Sequence, residues 1–279
     1  MKKLLFIGLD GTRIDCLLSS CIYLQKLFQH DNAKYSTQCK TNSRTISGPS
    51  WSTILSGKNE SYHNIHDNET VESLCFIRKY DTFLSSLENQ YNIHTYTGSW
   101  IGIHNIVKSE KTTNKFINIT NDPFENDTIA CDEAIDALST NKELDILFLY
   151  FMNIDASGHE YGFGLHCKEY NSSIKKTDLL IQKIMETLET RKNKYKEEDW
   201  LIVFTTDHGG TDWNCMSKKE QNDYTNKYNY YKKGVHGLNI PSHTNTWLLC
   251  INEAFANEEI LPSPISSNIY SIVMNHFDT

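Results

Sequence analysis

Four short runs of this 279-residue chain are apolar almost throughout: Lys3–Leu9 (KLLFIGL), Asp145–Phe151 (DILFLYF), Leu201–Thr205 (LIVFT) and Thr246–Ile251 (TWLLCI). A strand with one wet face alternates polar and apolar side chains, and these runs do not, so they predict strands buried on both faces. Weaker strands are expected at Ile93–Tyr96 and Lys115–Ile119. Between them, Thr82–Gln90, Asn126–Leu138 and Tyr170–Arg191 carry helical spacing, and Ile174, Thr177, Ile181, Ile184 and Leu188 share one face of the last. Pro264–Phe277 reads as a closing helix. This alternation predicts an α/β fold, a three-layer α/β/α sandwich whose mostly parallel central sheet is covered on both sides.

Composition narrows the function classes. The longest uninterrupted apolar run, Ile146–Met152, has seven residues, against the ~20 of a membrane-spanning helix, so no membrane span is expected. The opening MKKLLFIGL is short for a signal core and runs into Asp10-Gly11-Thr12-Arg13, which reads as an unexported, cytoplasmic chain. A net charge of −8 with only four Arg argues against a duplex nucleic-acid partner, which needs a basic face along the phosphates. Eight Cys without a CxxC pair read as scattered thiols in a reducing compartment. Residues 212–233 differ from the rest, with Trp213, Tyr224, Tyr228, Tyr230 and Tyr231 among five Lys, and are expected to form a small lid-like insertion.

Asp10 follows the first strand, Asp155 lies four residues past the strand ending at Phe151, and Asp207 comes just after Thr205. In an open parallel sheet the carboxyl ends of the strands lie on one rim, where ligands bind. A single Asp there is ordinarily a helix cap; three acids on one rim repel each other unless a cation joins them. Two carry a His at short offset, in Asp155-Ala-Ser-Gly-His159 and Asp207-His208-Gly209-Gly210. Carboxylate and imidazole together suit Zn²⁺ or Mn²⁺. His236, in Gly234-Val235-His236-Gly237, is the expected further ligand and His243 the second choice. In Ser47-Gly48-Pro49-Ser50-Trp51, followed by apolar residues and Gly57, Pro and Gly bracket a short helix. Ser47 then sits at a helix entrance, where backbone N–H groups favour an oxyanion.

With these motifs in order, the chain resembles the alkaline phosphatase superfamily, most closely its nucleotide pyrophosphatase/phosphodiesterase branch. The resemblance rests on Asp10-Gly11-Thr12-Arg13, Ser47-Gly48-Pro49 through Gly57, His63-Asn64-Ile65-His66-Asp67-Asn68, Asp155 with His159, Thr206-Asp207-His208-Gly209, and His236-Gly237. It implies one zinc held by Asp155, His159 and His236. It implies a second held by Asp10, Asp207 and His208, with Ser47 as the nucleophile bound to it and a phosphoserine intermediate. Asn68 would donate to a non-bridging phosphoryl oxygen, and Trp51, Tyr230 and Tyr231 are expected to face substrate. Two departures stand out: the branch more often has Thr at the nucleophile, and Gly where this chain has Asn64. The catalytic elements run from residue 10 to residue 236, so residues 1–279 are expected to form one phosphoesterase domain, a minimal core.

The expected substrate is a small phosphate ester or nucleotide, cleaved as a phosphodiester or pyrophosphate. A monoester dianion favours an Arg clamp, and no Arg lies between Arg44 and Arg78. Phosphomonoesterase is the alternative. Sulfatase is disfavoured because Trp51 stands where that motif has Arg, and a non-catalytic metal-binding relative because all six ligands and Ser47 are present.

Overall fold

The computed structural model describes residues 1–228, 232–260 and 263–278. The strands are β1 (Lys2–Leu9), β2 (Ala33–Lys40), β3 (Ile93–Gly98), β4 (Thr113–Ile117), β5 (Ile146–Phe151), β6 (Asp199–Thr205), β7 (Thr211–Asp212), β8 (Gly234–Val235), β9 (Asn245–Ile251) and β10 (Glu258–Glu259). Among the described residues they form an eight-stranded sheet, β10-β2-β9-β6-β1-β5-β3-β4, and a two-stranded ribbon of β7 and β8. The four uniformly apolar runs are its four contiguous central strands, β9, β6, β1 and β5, with every residue of β5 buried. The strands from β6 through β4 run parallel. Helices cover both faces, so the architecture is the three-layer α/β/α sandwich expected.

On one face the helices Ile14–Ser20, Tyr23–Phe28, Pro123–Thr140 and Lys168–Lys194 pack on Leu5, Ile7, Leu149, Phe151 and Phe204. Ile174, Thr177, Ile181, Ile184 and Leu188 are the buried stripe of the longest. On the other, Ser47–Ser56, Phe83–Leu87, Ile101–Val107 and Asn268–Asp278 pack on Leu4, Phe6, Phe148 and Val203. Strand β2 (AKYSTQCK) was not expected: it is polar, lies near the sheet edge, and shifts register between Ser36 and Cys39. Edge positions do not require apolar side chains on both faces, so hydrophobic runs do not reveal them.

Strand β9 is antiparallel to both β6 and β2. Its first residue therefore lies at the rim where the parallel strands end, and the segment carrying His236 reaches that rim without recrossing the sheet. The 212–233 insertion is not a bare loop. It holds a 3₁₀ turn at Trp213–Cys215 and a helix at Lys218–Tyr228, resting on a small cluster of Met216, Tyr224 and Val235. No helix among the described residues is long and apolar enough to cross a membrane.

Candidate active site

Asp10 follows β1, and its N–H donates to the Phe151 carbonyl at the end of β5. One carboxylate oxygen, Oδ2, accepts from the Tyr150 hydroxyl and from Trp51 Nε1 (3.0 Å); Oδ1 has no partner among the described residues. Asp207 repeats the pattern from the end of β6: Oδ1 accepts from the Gly11 N–H at 3.2 Å, and Oδ2 is left without a partner. Asp155, in the first turn of the helix Asn153–Tyr161, likewise has a partnerless Oδ1. Three buried carboxylates thus each aim one unsatisfied oxygen into a common space.

The histidines complete the set. Each uses Nδ1 to donate to a backbone carbonyl: His208 to Gly209 (2.8 Å), His159 to Gly234 (2.9 Å) and His236 to Thr45 (2.7 Å). A carbonyl can only accept, so the proton sits on Nδ1 and Nε2 presents a lone pair. The Nε2 atoms of His159 and His236 face each other at 3.1 Å, two acceptors with no proton between them. His208 Nε2 lies 3.2 Å from Asp207 Oδ2 and 3.6 Å from Asp10 Oδ1, and its ring stacks on His236 at 3.8 Å. Asp10, Asp207 and His208 form one group with metal-ligand spacing; Asp155, His208 and His236 form another, with His159 Nε2 3.4 Å from Asp155 Oδ2.

Electrostatics say the same. Burial raises the Asp10 carboxyl to about 6, against hydrogen bonds from Tyr150 and Trp51 that lower it. Burial first, then the charges of Asp10 and Asp155, pushes Asp207 well above the usual carboxylate range. Burial also lowers His208 to about 4 and His236 well below its ordinary value. Buried acids that resist ionising beside imidazoles that resist protonation are the signature of a site built around cations. The donor set, carboxylate oxygen and imidazole nitrogen with outer partners in place, fits divalent metal of the Zn²⁺ or Mn²⁺ type.

Ser47 is the first residue of the helix Ser47–Ser56, which ends at Gly57 with φ 67°. Its Oγ lies 3.2 Å from His208 Nε2, so the hydroxyl donates to that lone pair. Asn68 Oδ1 accepts from the Gly48 N–H at 2.7 Å, which leaves its NH₂ to donate. Gly48 has to be glycine: a Cβ there would fall 2.7 Å from the Asp67 carbonyl. Asn64 adopts φ 57°; Asn tolerates this left-handed turn better than other side chains, so the turn survives the departure from Gly.

One expectation changes. Trp51 does not face substrate: it is fully buried, T-stacked on Tyr150, and holds Asp10. His236, the first choice, lies in the cluster, whereas the His243 Nδ1 accepts from the Leu238 N–H. Tyr224 of the 212–233 insertion is buried, packed with Met216 and Val235. Tyr230 and Tyr231 lie outside the described residues. Two contributors have structural roles that the motifs alone do not show. Tyr150 is an apolar-strand residue whose hydroxyl reaches Asp10. Gly11, at φ +60°, sits where a Cβ would be 2.4 Å from Asp155 Oδ1.

Two predictions arise here. Trp51→Phe keeps most of the buried ring but removes the donor to Asp10; metal affinity is expected to fall about 10–100-fold, read by competitive titration with a chromophoric chelator. His63 ties the helix Ser47–Ser56 to the Asn68 segment through Thr53 Oγ1 (3.0 Å) and the Ile65 N–H (3.1 Å), and burial lowers it from 6.5 to about 4. The unfolded chain therefore binds the proton first. The stability His63 contributes is complete above about pH 6.5 and is lost as pH falls toward about 4, roughly 3 kcal/mol across that window. Urea unfolding of His63→Gln across the same range is expected to show a shallower acid loss than the parent.

The family model for type I phosphodiesterase / nucleotide pyrophosphatase matches residues 4–258. Among curated proteins, GPI ethanolamine phosphate transferase 1 of Yarrowia lipolytica is 36% identical over 126 residues, 42% of this chain and 11% of that protein. Its namesake from Chaetomium globosum is 28% identical over 135 residues, 46% of this chain and 12% of that protein. The matched stretch spans about a tenth of these relatives' length. Among solved structures, an inactive form of murine ectonucleotide pyrophosphatase/phosphodiesterase 5 in complex with AMP superposes with a TM-score of 0.73 at 14% identity, covering 100% of this chain and 95% of that one. A 2-O GAG sulfatase superposes with a TM-score of 0.65 at 11% identity, covering 99% and 70%. At such identities the structural likeness establishes the fold.

Proposed function

The chain belongs to the type I phosphodiesterase / nucleotide pyrophosphatase family, and on that premise we propose that it cleaves a phosphodiester or nucleotide pyrophosphate-type bond through a covalent phosphoserine on Ser47. The observation that carries the reading is the three orphaned carboxylate oxygens of Asp10, Asp155 and Asp207 converging with imidazole lone pairs beside the Ser47 hydroxyl. Asp155, His159 and His236 would hold one divalent ion and Asp10, Asp207 and His208 the other, both zinc in our reading. Together they would supply Lewis acidity and net positive charge where phosphate must sit on an acidic protein.

Within that frame the chain's own residues divide the work. The helix entrance holds Ser47 Oγ toward phosphorus with its N–H groups behind it. In-line attack by Ser47 displaces the leaving oxygen and makes the phosphoserine; hydrolysis then regenerates the hydroxyl, and two displacements give net retention at phosphorus. Asn68, anchored by the Gly48 N–H, donates its NH₂ to a non-bridging oxygen. Every Arg has a partner elsewhere: Arg13 with Asp15, Arg44 with Glu60, Arg78 with the Ile106 carbonyl, Arg191 with Glu198. That arrangement supports a diester monoanion over a monoester dianion.

The transferase relatives favour a second reading for the last step. The same phosphoserine would then pass its group to a substrate hydroxyl in place of water, and the ester would carry a phosphoethanolamine. Paired assays test both readings: hydrolysis of a p-nitrophenyl nucleotide diester against the matching monoester, each with and without an alcohol acceptor. Faster turnover of the monoester would overturn the diester reading, and product appearing only with the acceptor would replace hydrolysis by transfer.

A further inference from the structure

A second cluster of metal-ligating side chains lies outside the catalytic set, at the base of the 212–233 insertion. His166, Cys167 and Asp212 bring one donor atom each within 4.8 Å of one another. His166 Nε2 is 3.2 Å from Asp212 Oδ2, which is 3.8 Å from Cys167 Sγ. Cys215 adds a fourth donor, its Sγ 3.7 Å from His166 Nε2. These three separations are close to the edges, about 3.3–3.8 Å, of a tetrahedron with Zn–N or Zn–O bonds near 2.0–2.1 Å and Zn–S bonds near 2.3 Å, with Cys215 standing on the exposed side, outside the compact group of the other three.

Backbone features hold this geometry. Gly162, at φ +103°, lies against the cluster, and a Cβ there would fall 2.6 Å from Asp212 Oδ2 and 3.0 Å from Cys167 Sγ. Cys167 occupies the N-cap position of the long helix Lys168–Lys194 but makes no capping hydrogen bond with its side chain, so its thiol is not serving the helix. Asp212 caps the 3₁₀ turn with Oδ1, accepting from the Asn214 N–H at 2.7 Å, which leaves Oδ2 for the cluster. Asp212 and Cys167 are buried, whereas His166 and Cys215 are exposed and give an ion a path in from solvent.

We propose that His166, Cys167, Asp212 and Cys215 form a structural zinc site separate from the catalytic pair. Two thiolates, an imidazole and a carboxylate are a soft-to-borderline tetrahedral set suited to Zn²⁺. Binding releases the two thiol protons, and Lys233, close enough to act on Cys167, offsets the remaining negative charge. The ion would join two stretches far apart in the chain, the 162–167 loop and the 212–215 entrance of the lid. Asp212 is also the register partner of Gly234, whose carbonyl orients His159. The site would thus anchor the lid next to a catalytic ligand without taking part in the chemistry.

Cobalt substitution tests this independently of the proposed reaction, because none of the catalytic ligands is a thiol. The reduced, metal-stripped full chain loaded with Co²⁺ is expected to show a near-ultraviolet thiolate-to-cobalt charge-transfer band. Cys167→Ser/Cys215→Ser should abolish that band and lower zinc content by one ion per chain relative to the parent. His166→Ala, at an exposed position, should keep the fold and weaken Co²⁺ binding at this band at least about 10-fold. No thiolate band in the parent, a band that survives the double serine variant, or a Cys167–Cys215 disulfide found by mass spectrometry in protein purified without oxidant would overturn the proposal. Asp155→Asn should leave the band intact whether or not the catalytic assignment stands.

Discussion

Ser47→Ala is expected to remove turnover of a p-nitrophenyl nucleotide diester by a factor of about 10³ or more while leaving the fold intact. Loss of a covalent nucleophile removes the first displacement itself, and comparable nucleophile deletions cost up to about 10⁶ in rate. The cost to stability should be small: among the described residues Ser47 Oγ has one near partner, His208 Nε2, and Ala is a good helix former at the position it occupies. Two measurements check the result. Steady-state hydrolysis gives the loss, and acid-quenched protein incubated with a phosphorus-labelled substrate should carry label on the peptide containing Ser47 in the parent and none in the variant. Activity within about tenfold of the parent, with no label on either protein, would remove Ser47 from the mechanism and leave direct attack by water as the reading to pursue.

Metal removal is expected to have the second large effect, and it separates the site's role in catalysis from its role in stability. Stripping with a chelator should reduce turnover to background. It should also lower the melting temperature, because Asp10, Asp155 and Asp207 are then left as buried neighbours with one unsatisfied oxygen each. Unpaired buried charge is among the costliest features a fold can carry. Asp207→Asn keeps an oxygen to accept the Gly11 N–H and deletes one of the three negative charges. In the stripped state this variant is expected to melt above the stripped parent, by about 2–4 °C per kcal/mol relieved. In the presence of Zn²⁺ the order should reverse, since the variant has lost a ligand, and activity should not return. Identical melting of both proteins with and without chelator would mean that the acids are not a cation site. The opposite signs expected in the two states cannot come from a general packing defect.

The readability of the fold in the sequence follows from burial. Strands β5, β1, β6 and β9 are covered by helices on both faces, so they had to be written as uninterrupted apolar residues and could be located to within a residue or two. Strand β2 is not visible in the pattern because its polar, half-buried residues satisfy a place next to the sheet edge by backbone pairing, which leaves no trace in the side chains. The helix Lys218–Tyr228 within the insertion leaves no apolar periodicity, because its surface is polar nearly all round and only Tyr224 is buried. Trp51 shows the converse error. An indole close to Ser47 in sequence suggests a stacking surface, yet here it is interior packing with one polar task. The cluster of His166, Cys167, Asp212 and Cys215 was not legible either, since wide sequence separation hides metal spacing that only folding creates.

From sequence alone the α/β class, the order of the motifs and the chemical types of the ligands follow, because each depends on local periodicity or on residues placed at the ends of strands. Tertiary structure decided what depends on direction in space. It chose His236 over His243, since only the first is turned by the Thr45 carbonyl to bring Nε2 against His159. It set the tautomer of all three histidines through the carbonyls of Gly209, Gly234 and Thr45. Which nitrogen lone pair points where is fixed by backbone oxygens distant in sequence for two of the three rings, and no spacing along one chain encodes an angle between two segments.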